Sequence, residues 1–343
     1  MKRIFITLFT FVLILALLLA WMGYKVVYSP NIQTHGEKTY FYIPSIADYE
    51  QVKILLSENE LLIDEASFDL LARKMNYPSH VYPGRYELRD GMSNRKLILL
   101  LRSGEQAPVK LILKKVRRVE EVAEIAAAKL ELNQDDLLQV LLKPGKNEVL
   151  GNFNKENILS LFIPDTYEFY WNTDAETFLK RMLREYNNFW TDERKAAAKA
   201  QGLSPDEVIA LASIVEEESN KDEERPIIAG LYLNRLNRGM LLQADPTVRF
   251  ALGDFEIRRV LTKHLKTDSP YNTYLYKGLP PGPICTPSKK SIEAVLHPKE
   301  HNYLYMCAKA DFSGYHEFAS TLNEHLKNAR KFQKALNENK IYN

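Results

Sequence analysis

Ser204-Pro205-Asp206-Glu207-Val208-Ile209-Ala210-Leu211-Ala212-Ser213-Ile214-Val215-Glu216-Glu217-Glu218 is an apolar run that ends in three adjacent carboxylates. Its first residues carry the marks of a helix start. Ser204 suits the N-cap, Pro205 fits the first helical position, and Glu207 completes a Ser-x-x-Glu capping box. Val208, Leu211, Ala212 and Val215 recur at helical spacing and define one buried face. At about 100° per residue, Glu217 falls opposite that face, whereas Glu218 lies roughly 70° and Glu216 roughly 90° from its centre. This phase predicts a solvated Glu217 and leaves Glu218 and Glu216 as candidates for a partly buried acid. An apolar helix face disfavours the charged form of a carboxyl group and raises its pKa, as an acid catalyst requires.

Downstream, Asn220 to Arg225 reads as a solvated charged connection. Pro226 opens a second helix with Ile227, Leu231 and Asn234, terminated at Gly239. Leu242-Gln243-Ala244-Asp245-Pro246-Thr247 reads as a turn presenting Gln243 and Asp245 to a cleft, although an Asp before Pro also serves as a plain turn residue. Tyr271-Asn272-Thr273-Tyr274 leads into Gly278-Leu279-Pro280-Pro281-Gly282-Pro283, a rigid extended segment. Aromatic rings beside amides and hydroxyls suit a carbohydrate, whose ring faces stack and whose hydroxyls need hydrogen bonds. Tyr303 to Ala308 and Tyr315 to Phe318 predict a hairpin. His316 either faces the cleft or fills that hairpin. A last helix, Thr321 to Leu336, would pack through Leu322, Leu326, Ala329 and Phe332.

Upstream, the chain predicts a small α+β unit over residues 38–115. Its strands are Thr39 to Ile43, Arg85 to Leu88 and Val109 to Leu113, and its helices Ala47 to Ser57, Ser67 to Met75 and Ser93 to Leu101. Residues 116–340 read as a helix-rich α+β domain. Within it are helices Glu120 to Leu130 and Asp135 to Leu142, and a long helix from a Thr173–Glu176 capping box to Gly202 that buries Phe178, Met182, Tyr186 and Phe189.

The N-terminus has Lys2 and Arg3, then an uncharged run from Ile4 to Tyr24 closed by Lys25. At about 1.5 Å per residue this run matches a hydrocarbon core about 30 Å thick. It is longer than a usual signal-peptide core and no small-x-small site follows, which favours an uncleaved anchor. Residues 1–3 form a cytoplasmic tail, 4–24 the membrane helix and 25–37 a linker, with the remainder outside the cytoplasm. Of 343 residues, 46 are Lys or Arg and 44 Asp or Glu, and no basic tract stands out, so nucleic acid is not the expected partner. No zinc-type spacing occurs, and no cofactor is expected. Cys285 and Cys307 are taken as packing residues.

Several strings occur in order: Ala-Ser-Ile-Val-Glu-Glu-Glu-Ser from Ala212, Asn-Arg-Leu from Asn234, Leu-Gln-Ala-Asp-Pro-Thr-Val from Leu242, Tyr-Asn-Thr-Tyr from Tyr271 and Gly-Leu-Pro-Pro-Gly-Pro-Ile from Gly278. With Pro164-Asp165-Thr166-Tyr167 upstream, the chain resembles the endolytic murein transglycosylases, the MltG or YceG-like family. Glu217 departs from the pattern, since relatives often carry Lys there. The resemblance implies a single-pass enzyme of the inner membrane with a LysM-like module and a catalytic domain facing the wall. Such enzymes cut nascent peptidoglycan glycan strands between MurNAc and GlcNAc, leave 1,6-anhydroMurNAc ends and work beside the glycan-synthesising machinery. The family's catalytic glutamate falls on Glu218. Gln243, Asp245, Tyr271, Asn272 and Glu216 are then assigned to substrate binding. A hydrolytic muramidase using Asp245 or Glu216 to activate water, and a non-catalytic peptidoglycan-binding scaffold, are the rival readings.

Overall fold

A computed structural model describes residues 2–34, 36, 38–151, 153–257 and 259–339. Met1 of the expected tail, His35 and Glu37 of the expected linker, and Lys340 at the expected domain end lie outside the described residues. The fold is helix-rich α+β with small sheets. Thirteen α-helices and six strands are found among the described residues, and the strands form three two-stranded sheets. The chain divides into two compact units, Met1–Lys110 with Lys129–Leu132 and Glu168–Asp174, and Leu111–Ala128 with Asn133–Tyr167 and Ala175–Asn343.

The first unit opens with α1 (Lys2–Tyr28), which is long and apolar enough to cross a membrane. β1 (Thr39–Ile43), α2 (Tyr49–Glu58), α3 (Glu65–Lys74), β2 (Gly84–Leu88) and α4 (Asn94–Ser103) follow. β1 and β2 pair antiparallel with Phe41 opposite Tyr86. Alternation along each strand places Phe41, Ile43, Tyr86 and Leu88 in the core, against Val52, Leu56, Phe68 and Leu97 from the three helices. Asp48, Asp64 and Ser93 cap those helices by accepting backbone N–H groups of the first turn.

β3 (Val109–Leu113), α5 (Val119–Ala127), α6 (Gln134–Leu142) and β4 (Asp165–Phe169) precede α7 (Ala175–Phe189) and α8 (Asp192–Ala200). The expected single helix from Thr173 to Gly202 is therefore two. Thr191 interrupts it because its hydroxyl accepts the Arg194 N–H and starts a new helix. α9 (Pro205–Glu218) begins with the expected capping box of Ser204 and Glu207. α10 (Arg225–Asn237), α11 (Asp245–Leu252), α12 (Lys289–Leu296), β5 (Tyr305–Ala308), β6 (His316–Ala319) and α13 (Leu322–Glu338) complete the chain. The expected hairpin forms as the antiparallel β5–β6 pair.

α9 is the axis of the second unit, packed by α8, α10, α11 and α12. Every residue from Val208 to Val215 is buried, so the helix has no solvent face over that stretch. Its sequence periodicity suggested one buried face, but neighbours cover the other sides as well. At about 1.5–3 kcal/mol for each large apolar side chain removed from water, this stretch dominates the local packing. Two glycines permit close backbone approaches elsewhere in this unit. A Cβ on Gly230 of α10 would lie 2.5 Å from the Lys299 carbonyl oxygen, and one on Gly282 would overlap the Glu156 carbonyl. α13 differs from expectation, since none of its residues is buried and Leu322 and Leu326 remain 53% and 43% exposed. It packs as an outer layer on the β5–β6 hairpin.

Candidate active site

Glu218 is the last residue of α9, and Ser219 leaves the helix in extended conformation. Its half-buried side chain lines a cleft of about 480 Å³. The Tyr232 hydroxyl, from α10, donates to Glu218 Oε1 at 2.6 Å. Burial pushes the Glu218 carboxyl above its ordinary value; the Tyr232 hydrogen bond opposes this, the Asp245 charge adds to it, and His316 and Arg249 pull it back. The net direction is upward.

Gln243, Asp245 and Tyr274 line the same cleft. They are held by a link between two loops. Gln243 N–H donates to the Thr273 carbonyl at 3.0 Å, and Ala244 N–H donates to Thr273 Oγ1 at 3.0 Å. Gln243 adopts φ 51°, the left-handed region that a side chain occupies only when its surroundings impose it. Asp245 is the first residue of α11, not a turn residue, because Pro246 fits a helix start as well as a turn. The Tyr274 hydroxyl donates to Asp245 Oδ1 at 2.5 Å, placing the carboxylate at the positive end of a short helix.

Arg235 of α10 is buried and ties this wall to the hairpin. Its Nε donates to the Leu304 carbonyl at 2.6 Å and Nη1 to the Leu242 carbonyl at 2.7 Å. Tyr305, Cys307 and His316 of the hairpin and His325 of α13 also line the cleft. His316, read from sequence as either cleft or filler, thus borders the cleft and is bonded to Glu224. The connection Asn220 to Arg225, expected to be solvated, buries both Glu224 and Arg225. Each finds a partner from another element: His316 Nδ1 is hydrogen-bonded to Glu224, and Glu216 accepts from Arg225 at 3.3 Å.

The remaining sequence candidates sit elsewhere. Asn272 is a buried loop staple, its Nδ2 donating to the Leu265 and Thr267 carbonyls at 3.0 and 2.8 Å. Tyr271 packs on Phe250, with ring centroids 4.6 Å apart. Neither lines the cleft of Glu218, so their neighbours Thr273 and Tyr274 are the residues of this loop that build it. Glu216, 12% exposed, accepts from Arg225, from Ser288 N–H and Oγ, and from Ser291 Oγ, and does not reach the cleft. Glu217 is not solvated. Its side chain is 11% exposed and pairs with Lys115 at 2.9 Å and Arg117 at 3.0 Å. Burial alone would raise its pKa, but those two cations hold it below its ordinary value. Tyr232 carried no sequence signal beyond its place in a predicted helix, and Arg235 stood only as the middle residue of the Asn-Arg-Leu string. Chemically, the cleft offers one carboxyl biased toward its neutral form and a second, on Asp245, hydrogen-bonded to a phenol.

The sequence matches the YceG-like family over residues 41–331. It is 32% identical over 313 residues to the endolytic murein transglycosylase of Bacillus subtilis (strain 168), covering 86% of this chain and 85% of that one. The Streptococcus pneumoniae protein of the same name, from serotype 2, is 27% identical, with 87% of this chain and 60% of that one covered. Among solved structures, a yceG-like protein of Listeria monocytogenes is similar with TM-score 0.55 and 29% identity, covering 85% of this chain and 98% of that one.

Proposed function

The chain belongs to the YceG-like family, and from that premise we propose that it is an endolytic lytic transglycosylase of peptidoglycan with Glu218 as acid and then base. The observation that carries this reading is the half-buried Glu218 carboxyl, raised by burial and set in a cleft beside Gln243, Asp245 and Tyr274. The neutral carboxyl gives its proton to the glycosidic oxygen between MurNAc and GlcNAc, and the bond from that oxygen to MurNAc C1 breaks. The carboxylate left behind accepts the proton of the same MurNAc's 6-hydroxyl as its oxygen bonds to C1. The product is a 1,6-anhydro ring, and no water is consumed, so a second carboxylate at hydrolase spacing is unnecessary. Asp245 supports the positive charge that develops at C1, and Gln243 and Tyr274 hold the sugar. Tyr271 and Asn272 act one step back, by shaping the loop that carries Tyr274.

Cutting inside nascent strands limits their length during wall synthesis. In this reading α1 is a single-pass anchor in the inner membrane, with Lys2 and Arg3 cytoplasmic, the catalytic unit outside, and the α+β unit of residues 38–115 serving as a LysM-like module. Mass spectrometry of digested linear glycan tests the chemistry. Anhydro ends should appear with the native chain and fall by at least about 10²-fold in Glu218→Gln. Reducing ends alone would make Asp245 the base of a hydrolytic muramidase, and glycan binding without any cleavage would make the chain a scaffold.

A further inference from the structure

Buried Glu224 and half-buried His316 form a pair that the reaction described above leaves unused. The two oxygens of Glu224 divide their bonds: Oε1 accepts the His316 backbone N–H at 2.8 Å, while Oε2 lies 2.9 Å from His316 Nδ1 and accepts the Ser219 hydroxyl at 3.2 Å. A carboxylate only accepts, so Nδ1 carries the ring proton and Nε2 keeps a lone pair in the neutral imidazole. His316 lines the cleft of Glu218, and among the described residues no protein group is hydrogen-bonded to its Nε2. Ser219 follows Glu218 directly. One buried carboxylate therefore fixes both the end of the helix that carries the acid and the orientation of an imidazole bordering the same space.

We propose that His316 contacts the substrate, its Nε2 accepting a hydrogen bond from a hydroxyl or acetamido N–H of the sugar bound against Glu218, with Glu224 as the residue that positions the ring. This rests on the reading of Glu218 as the acid and adds a polar anchor from the β5–β6 hairpin to those of Gln243 and Tyr274.

Two amide substitutions separate the ring nitrogens. Asn reproduces the Nδ1–H donor toward Glu224 and has nothing at the Nε2 position, whereas Gln reaches the Nε2 position. In the detergent-solubilised full chain, His316→Asn should lower kcat/KM for release of anhydro ends about 10²-fold with an unchanged melting temperature, and His316→Gln should regain about tenfold of that loss. In the Glu218→Gln background, His316→Asn should weaken binding of uncrosslinked linear glycan strands about tenfold. Native turnover by His316→Asn, or unchanged glycan affinity in that background, overturns the proposal. Equal losses in both amide variants with a lowered melting temperature also overturn it, by marking His316 as a filler of the hairpin. If Glu218→Gln itself turned over normally, the reading of the acid would fall, and the kcat/KM comparison of the two His316 variants would still decide this one.

Discussion

Thr273→Val should loosen the wall that carries Gln243 and Asp245 without changing the shape of any side chain at the site. Ala244, Thr247 and Thr273 are all buried, and their polar groups close a small ring. Ala244 N–H donates to Thr273 Oγ1 at 3.0 Å, the two threonine hydroxyls are 2.9 Å apart, and Thr247 Oγ1 donates to the Ala244 carbonyl at 2.7 Å. Because the Thr247 proton goes to that carbonyl, Thr273 must donate to Thr247 and accept from Ala244. Valine has the same outline and offers neither bond, so the Ala244 N–H is left buried and unpaired. An orphaned buried donor costs about 1–3 kcal/mol. Taking about 2 kcal/mol and about 2–4 °C per kcal/mol for a unit of this size, the melting transition of the second unit should fall by about 4–8 °C. Loss of register at Gln243 and Asp245 should lower kcat/KM about tenfold. Calorimetry, hydrogen exchange at the Ala244 amide and turnover measure the three effects, with Thr273→Ser, which keeps the hydroxyl, as the control. A valine variant that melts within about 1 °C of the native chain and keeps the Ala244 amide protected would refute the account, because the ring would then not be what holds the loop.

The two adjacent glutamates should show opposite dependences of stability on pH. Glu218 has a raised pKa in the folded chain, so the folded state holds a proton that the unfolded state releases, and stability falls as pH rises above the ordinary value of 4.5. Glu218→Gln, which cannot ionise and still accepts from Tyr232, should be more stable than the native chain at neutral pH and equal to it below that value; a variant less stable at pH 7 would contradict this. Glu217 has a lowered pKa, so its contribution is present above the ordinary value of 4.5 and is lost as pH falls through the folded value. Glu217→Gln should therefore destabilise at neutral pH, by about 1–2 kcal/mol given that Lys115 and Arg117 are about one-third exposed, and the gap to the native chain should close in acid. Denaturant titrations at several pH values measure both. Gly282→Ala should destabilise by about 3 kcal/mol or more, since the new methyl meets backbone at Glu156 and not a side chain that can swing away; a thermal shift under about 2 °C would show that the segment adjusts freely.

The sequence was most informative wherever the signal is local. The capping box at Ser204, the end of α10 near Gly239 and the β5–β6 hairpin depend on neighbours within a few positions, and each forms as expected. Helical phase, a property of one isolated element, failed for Glu217, because Lys115 and Arg117 reach it from a segment about a hundred positions earlier. The same limit hid the burial of Glu224 and Arg225, whose charges look solvated until His316 and Glu216 are brought to them by tertiary contacts. It also hid the division of labour in the Tyr271 to Tyr274 loop. Asn272 spends its amide on the loop's own carbonyls, and Thr273 and Tyr274 make the contacts that build the cleft.

What distinguishes the three glutamates is therefore the partner each one meets and not its angle on the helix. Glu216 meets a guanidinium and two serine hydroxyls, and Glu217 meets a lysine and an arginine, which hold its carboxyl below the ordinary value. Among the described residues, Glu218 has a phenol at 2.6 Å and no cation within ion-pair distance. Burial without a counter-charge favours the protonated form, and burial with one favours the ionised form. A run of three identical side chains thus separates into one candidate acid and two carboxyl groups bound into the structure, and the separation is made by residues that lie outside the run.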